Sequence, residues 1–175
     1  MATEIVRYIW DGATGNGDGS SWENAYTSLE NFQTAEAKDL IAADESLFVN
    51  LRLDSPRTST FSFSGWVTDL THNIHLFVPY EYRHTGKLET GTRFEFGDDG
   101  QSWPTRTVVE GLSLSATATH NQTVIDGSYI GCLLANFGNG HALRMSNRTA
   151  INCIILGNGY TLSLHDALRS RKSVV

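Results

Sequence analysis

Several things are scarce in this sequence, and the shortages exclude particular classes of protein. Basic residues (13) are fewer than acidic ones (19), and the net charge of −6 argues against nucleic acid as a partner. No run of about 18 apolar residues occurs, so we expect no membrane span. Met1–Trp10 carries Glu4 and Arg7 and has no apolar core, so we expect no secretory signal peptide. Only 3 prolines accompany 16 glycines, which favours tight turns between short strands.

A repeat with a period near 20 residues is the clearest feature that is present. Gly111–Ala116 aligns with Gly131–Asn136 and then with Asn152–Gly157, at spacings of 20 and 21 residues. Gly138–Ser146 resembles Gly157–His165, 19 residues later. Short apolar runs between Gly and Asn turns at such a period predict a solenoid, in which neighbouring turns bury each other's apolar faces.

The repeat register predicts two stacked columns of core residues. They are Leu114, Leu134 and Ile155 in one column, and Leu112, Cys132 and Cys153 in the other. We therefore expect Cys132 and Cys153 to be free, buried residues of the core. A disulfide stays open as the alternative, because stacked strands lie about 4.8 Å apart, close to the Cα separation of bonded cysteines.

The rest of the chain divides into one helical segment and a series of short strands. Asp11–Ser21 is a loop of turn-forming residues, and the apolar spacing of Asn24–Ala43 predicts a helix with Asn24 as its N-cap. The predicted strands are Ile5–Trp10, Ser46–Leu53, Thr60–Phe63, Asn73–Val78, Arg93–Phe96, Thr107–Val109, Ser113–Ala116, Thr123–Asp126, Tyr129–Ala135, Ala142–Met145 and Ala150–Leu156.

These patterns predict three regions. Residues 1–50 form an N-terminal strand, a Gly-rich loop and a capping helix, and residues 51–160 form early turns of the solenoid. Residues 161–175 are expected to be a non-native tail, because the codons available from Leu162 onward match both strands of a common sequencing-library adapter. On this interpretation the solenoid is incomplete and the native gene continues.

Two stretches carry a family resemblance. Asp11–Leu29, with its Thr-Gly-Asn-Gly-Asp-Gly-Ser-Ser-Trp core, resembles the opening of right-handed parallel β-helix proteins of the pectate-lyase-like superfamily. Phe63–Lys87 and Thr149–Gly159 are similar to turns of such proteins in bacterial, phage and metagenomic sequences. The resemblance implies an all-β fold, a right-handed parallel β-helix (solenoid) with an N-terminal helical cap.

The resemblance implies function less narrowly. It favours an extracellular or virion-associated module that recognises polysaccharide, as tailspikes and tail fibres do, with a homotrimer as one assembly that such proteins adopt. One alternative is a polysaccharide lyase or glycoside hydrolase fragment lacking most catalytic turns, and a second is a structural stalk or adhesin repeat. Whether the chain is an enzyme stays open, and no catalytic residue is assigned.

Candidate sugar-binding residues cluster after the Asn73–Val78 strand. Arg83 lies among Tyr80, Tyr82 and His84, and aromatic faces beside a cation suit sugars, particularly acidic ones. The alternative is a turn that only holds a loop in place.

Two acids, Glu110 and Asp126, occupy similar strand-end positions about one turn apart. Stacked in a groove, they would form an acid pair or a cation site, and the alternative is two exposed edge residues. Asp98 and Asp99 could supply half of a glycosidase carboxylate pair, but their flanking glycines favour a solvated turn.

No metal site is predicted from the spacing of the histidines. The loop at Thr14, Asn16, Asp18 and Gly19 imitates the start of a calcium loop, but Ala25 stands where the bidentate Glu is required. We therefore expect a structural turn and no cofactor, with an irregular calcium site as the alternative.

Overall fold

A computed structural model describes residues 1–58, 63–96, 101–116, 124–137, 143–146, 149–157 and 162–165. In chain order the strands are β1 (Thr3–Trp10), β2 (Glu45–Arg52), β3 (Ile74–Phe77), β4 (Arg93–Phe96), β5 (Gln101–Glu110), β6 (Ser113–Ala116), β7 (Val124–Ile130), β8 (Leu133–Asn136), β9 (Leu143–Ser146), β10 (Ala150–Ile151), β11 (Ile154–Gly157) and β12 (Leu162–His165). Helices α1 (Leu29–Glu36) and α2 (Leu40–Ala43) lie between β1 and β2, and a 3-10 turn spans Tyr80–Tyr82.

Three parallel sheets contain these strands. The larger sheet has six strands in the order β1-β2-β3-β5-β7-β10, and the smaller sheet has four in the order β11-β8-β6-β4. β9 and β12 form a separate parallel pair. The protein is therefore mainly β, with parallel strand pairing throughout these sheets.

The predicted right-handed parallel β-helix with an N-terminal helical cap was wrong. The ten strands of the two larger sheets do not clearly form a β-helix solenoid, in which every turn would supply a strand to each sheet. β1, β2 and β3 belong to the larger sheet alone. Within the described ranges β4 is the first strand of the smaller sheet, and Arg57 joins its edge by a single parallel bridge to Phe94. The 20-residue repeat covers only the later strands, so it predicted their stacking and not the architecture of the whole chain.

Three left-handed residues mark the corners where the chain passes from the larger sheet to the smaller one. Gly111 (φ 77°), Gly131 (φ 57°) and Asn152 (φ 53°) follow β5, β7 and β10, and each lies two residues before the next strand. Gly, and less often Asn, tolerates this conformation. The corners split the predicted strands Tyr129–Ala135 and Ala150–Leu156 in two, whereas β4 and β6 match their predicted bounds.

The core lies on the inward faces of the sheets. In the larger sheet, register aligns Val49, Leu76, Val109 and Tyr129, each at most 1 % exposed. The smaller sheet confirms the predicted column of Leu114, Leu134 and Ile155. Both cysteines are free, as predicted; Cys132 is buried, and Cys153 is partly exposed.

The helical segment is shorter and begins later than the sequence predicted. Ser28, not Asn24, caps α1 by accepting a hydrogen bond from the Asn31 amide at 3.2 Å, and Asp39 caps α2. α1 buries Leu29 and Phe32. The predicted strand Thr60–Phe63 lies almost entirely outside the described residues. In the described part of the chain, no helix is long and apolar enough to cross a membrane.

A partly buried ion pair joins α1 to the first strand. Arg7 Nε donates to Glu36 Oε1, and the Tyr26 hydroxyl donates to the same oxygen at 2.7 Å. Glu36 is only 7 % exposed. Burial and the neighbouring Glu36 carboxylate raise the pKa of Tyr26 to about 12, so the phenol stays a donor throughout the neutral range.

We expect Glu36→Gln to lower the free energy of unfolding by about 2 kcal/mol, because it leaves the partly buried Arg7 charge without its partner. Glu95→Gln is the matched control. Glu95 is 41 % exposed and pairs with Arg93 on the surface, where such pairs contribute under about 1 kcal/mol. Urea unfolding measures both, and equal losses for the two variants would contradict a structural role for the partly buried pair.

Candidate functional site

The candidate site lies on the outer face of the larger sheet, at the carboxyl ends of β3 and β5. Strand alternation turns Ile74 and Leu76 inward and His75 and Phe77 outward. Register places Phe77 beside Glu110, the last residue of β5. Outward side chains from two neighbouring strands therefore meet at this edge.

Arg83 reaches this face from the loop that follows β3. Pro79 precedes the 3-10 turn Tyr80–Tyr82, after which the Arg83 side chain returns to the end of the strand. Its Nε donates to the Val78 carbonyl at 2.7 Å, and its Nη2 donates to Glu110 Oε1 at 2.6 Å. The guanidinium also lies 4.2 Å from the centre of the Tyr80 ring and 5.1 Å from that of Phe77. Arg83 is thus held by charge, by a hydrogen bond and by two aromatic faces.

Glu110 joins the two strands and the loop. While Oε1 accepts from Arg83, Oε2 lies 3.1 Å from His75 Nε2. The Arg83 and Glu110 side chains are 13 % and 20 % exposed, so their ion pair is largely shielded from solvent. We call His75, Phe77, Tyr80, Arg83 and Glu110 the Arg83–Glu110 cluster.

Tyr80 is the exposed member of this cluster. Its exposed fraction is 80 %, and the Arg83 guanidinium covers one face of its ring. An aromatic ring so exposed and yet supported by a fixed cation offers its remaining surface to a ligand without having to be ordered first.

Burial shapes the electrostatics of His75. The side chain packs edge-on against Phe48 at 4.9 Å, and desolvation lowers the pKa of His75 below its ordinary value of 6.5. Glu110 and Glu4 oppose this shift, and Arg83 reinforces it. His75 is therefore neutral at pH 7 and presents a neutral imidazole beside the Glu110 carboxylate.

Gly111 leaves the space that Arg83 occupies. A Cβ at this position would lie 2.5 Å from Arg83 Nε and under 3 Å from the Cδ and Cγ atoms. The left-handed φ of Gly111 and the close approach of Arg83 both require glycine, so this one corner shapes both the sheet and the site.

Tyr82, another predicted site residue, belongs to a neighbouring cluster. The Arg52 guanidinium lies between the Tyr82 ring (4.6 Å) and the Trp10 ring (4.2 Å), and it pairs with Asp54. Trp22 packs edge-on against Tyr82 with ring centres 6.0 Å apart. Both faces around this cation are occupied, so the arrangement fastens the loop after β3 to β1 and β2.

His84 has a defined structural role. Its Nδ1 accepts from the Gly86 amide at 3.2 Å, so Nε2 carries the proton and donates to the Gly131 carbonyl at 2.9 Å. The residue ties the loop to the corner after β7.

The strand register does not stack Glu110 on Asp126, an arrangement that the sequence left open beside that of two separate edge residues. The register of β5 and β7 places Ile130 beside Glu110. Asp126 belongs to the same strand, β7, but lies nearer its start than Ile130 does. Asp98 and Asp99 lie outside the described residues.

The Gly-rich loop is held by its own side chains. Asp18 accepts from the Ser20 amide at 2.8 Å, and Asn16 Oδ1 accepts from the Asp18 amide at 3.1 Å. The Ser20 and Asn16 hydrogen bonds lower the pKa of Asp18. Gly15 packs so closely on Asn24 that a Cβ would lie 2.1 Å from its side-chain oxygen. Among the described residues, no group of three or more His, Cys, Asp or Glu side chains is placed to hold a metal ion.

His75 and Phe77 belong to the site although the sequence did not indicate them. The alternation in Asn73–Val78 shows that they face the same side of the strand, opposite Ile74 and Leu76. The alternation does not show which strand pairs with β3, and so it could not indicate that β5 brings Glu110 to this face.

Comparisons with protein-family models, with curated proteins and with solved structures found no match. The candidate site is therefore interpreted from its own geometry.

We expect Gly111→Ala to destabilise the protein by about 3 kcal/mol, because the added methyl both strains the backbone and displaces Arg83. Gly17→Ala is the matched control: Gly17 has φ 73°, but a Cβ there would meet nothing within 4 Å. Backbone strain alone then costs about 1–2 kcal/mol. Thermal and urea unfolding compare the two, and losses of the same size would show that Arg83 does not depend on the missing side chain.

The lowered pKa of His75 predicts the direction in which folding stability changes with pH. Below pH 6.5 this histidine takes up a proton in the unfolded chain but stays neutral in the folded protein. The free energy of unfolding therefore falls as the pH falls from 6.5 toward the pKa of His75 in the folded protein. The wild type should therefore lose stability relative to His75→Gln between pH 7 and pH 5, measured by urea unfolding.

His72 supplies a control of opposite sign. Hydrogen bonds to Asp44 and then to Asp69 raise the pKa of His72, so its contribution is present below pH 6.5 and is lost as the pH rises through the folded pKa. The wild type should gain stability relative to His72→Gln over the same fall in pH. If the wild type gained stability relative to His75→Gln as the pH fell, or if their difference did not depend on pH, the conclusion that His75 is a neutral, partly buried imidazole would be contradicted.

Proposed function

We propose that this chain is an extracellular or virion-associated module that recognises polysaccharide through the Arg83–Glu110 cluster. The observation that carries the proposal is the ring of Tyr80, 80 % exposed and held by Arg83 beside a carboxylate. Sugars combine apolar C–H faces with hydroxyl groups, and they suit an aromatic surface flanked by hydrogen-bonding groups. The location outside the cell or on a virion, and a homotrimeric assembly, stay predictions.

The polar groups next to Tyr80 are suited to hydroxyls. Glu110 keeps 20 % of its side chain exposed, and a carboxylate accepts strong hydrogen bonds from sugar hydroxyls. His75, neutral at pH 7 and 28 % exposed, adds a second polar group on the same face. Phe77 supplies apolar surface beside them.

The pairing of the arginines with carboxylates favours neutral over acidic polysaccharides. The sequence favoured acidic sugars because Arg83 stood among tyrosines, but the Arg83 charge is already met by Glu110. Arg52, the cation of the neighbouring cluster, is met by Asp54 in the same way. With a net charge of −6 and no spare cation in either cluster, the surface should prefer neutral polymers, because an acidic polymer would be repelled.

We expect the full chain to bind at least one neutral glycan on an array that contains neutral and acidic polysaccharides. Affinity for the strongest neutral glycan should change little between low and high salt, since screening affects only charged ligands. Binding to acidic glycans alone would contradict the preference for neutral sugars, and absence of binding to every glycan would overturn the proposal. New reducing or unsaturated ends during incubation would instead support the enzyme.

Tyr80→Ala should weaken that binding by about tenfold or more, because truncating an aromatic contact at the centre of a site commonly costs over 1 kcal/mol. Folding should be unaffected, since the ring is exposed. Phe137→Ala is the matched control, because Phe137 is also an exposed ring (45 %) but follows β8 in the smaller sheet. Titration calorimetry measures both variants, and equal affinities for Tyr80→Ala and the wild type would place recognition elsewhere.

A further inference from the structure

The two cysteines occupy equivalent corners of successive turns. Cys132 follows Gly131 (φ 57°), and Cys153 follows Asn152 (φ 53°). Immediately after them β8 and β11 pair in parallel, with Leu133 beside Ile154. The Ile154 amide donates to the Cys132 carbonyl at 2.9 Å, so the pairing reaches back to the cysteines themselves.

This placement meets the geometric demands of a disulfide. Adjacent strands lie about 4.8 Å apart, and bonded cysteines have Cα atoms about 4.4–6.8 Å apart. The two thiols are close enough for each to shift the pKa of the other. Each sulfur also faces a backbone carbonyl, Val109 at 3.3 Å for Cys132 and Ile151 at 3.4 Å for Cys153.

We infer that Cys132 and Cys153 form an intramolecular disulfide when the folded protein meets a disulfide oxidant such as oxidised glutathione. The bond would join the corner between β7 and β8 to the corner between β10 and β11. It would form in the oxidising surroundings outside a cell and stay open in a reducing cytoplasm. The inference concerns the smaller sheet and does not depend on polysaccharide recognition.

The structure assigns the order of the two steps. Cys153 is partly exposed, and its contact with Cys132 lowers the pKa of the Cys153 thiol. Burial raises the pKa of Cys132, which is 0 % exposed. The Cys153 thiolate therefore attacks the glutathione disulfide and releases one glutathione thiolate. Cys132 then gives up its proton and attacks the Cys153 sulfur of the mixed disulfide, releasing the second glutathione.

The test treats the reduced, folded full chain with oxidised glutathione and then measures its intact mass and its alkylatable thiols under denaturing conditions. We expect the mass to fall by that of two hydrogen atoms, both thiols to become unreactive, and proteolysis to yield a linked peptide pair. Two alkylatable thiols after treatment, or a stable adduct that keeps one or two glutathiones, would overturn the inference.

Cys153→Ser is the control variant, because this partly exposed position tolerates the change better than buried Cys132. Its remaining thiol should stay reduced, since Cys132 is inaccessible to the oxidant. Oxidation of the wild type should raise the melting temperature by roughly 6–12 °C, reversibly with reductant, as expected for a bond that closes a loop of this length. An equal shift in Cys153→Ser would show that the stabilisation does not come from this bond.

Discussion

Parallel pairing constrains everything else in this molecule. Each strand must be followed by a connection that returns the chain to the starting edge before the next strand can join the sheet. In the larger sheet the connection after β3 carries the 3-10 turn Tyr80–Tyr82 and Arg83 and then supplies β4 to the smaller sheet. The candidate site exists because this connection leaves from the carboxyl end of β3, beside the end of β5, where Glu110 lies.

The left-handed corners link the two sheets and serve more than one purpose. At Gly111 the corner leaves room for Arg83 to reach Glu110, and at Gly131 it provides the carbonyl that holds His84. The corners at Gly131 and Asn152 place Cys132 and Cys153 at equivalent positions of neighbouring turns. The left-handed conformation that recurs where the chain passes between the sheets thus positions both the Arg83–Glu110 cluster and the two cysteines.

Charge pairing gives the outer face its chemical character. Arg83 and Arg52 each lie over aromatic rings, and each contacts a carboxylate. Such cations organise the rings and leave little net charge for a ligand to meet. Arginines among aromatic residues suggested a basic surface that would suit an acidic polymer. Because each of these arginines is paired with a carboxylate, the face is not basic.

Local patterns in the sequence determined many of the strand positions, the column of Leu114, Leu134 and Ile155, and the free cysteines, because side-chain periodicity records which face of a strand is buried. The same patterns misjudged the architecture, since a repeat covering three corners does not specify how β1, β2 and β3 pair. Only the tertiary structure brought His75 and Arg83 to Glu110, which lies 35 and 27 residues away, respectively. The physical reason is that strand order and register depend on burial summed over the whole sheet, and no local pattern contains that sum.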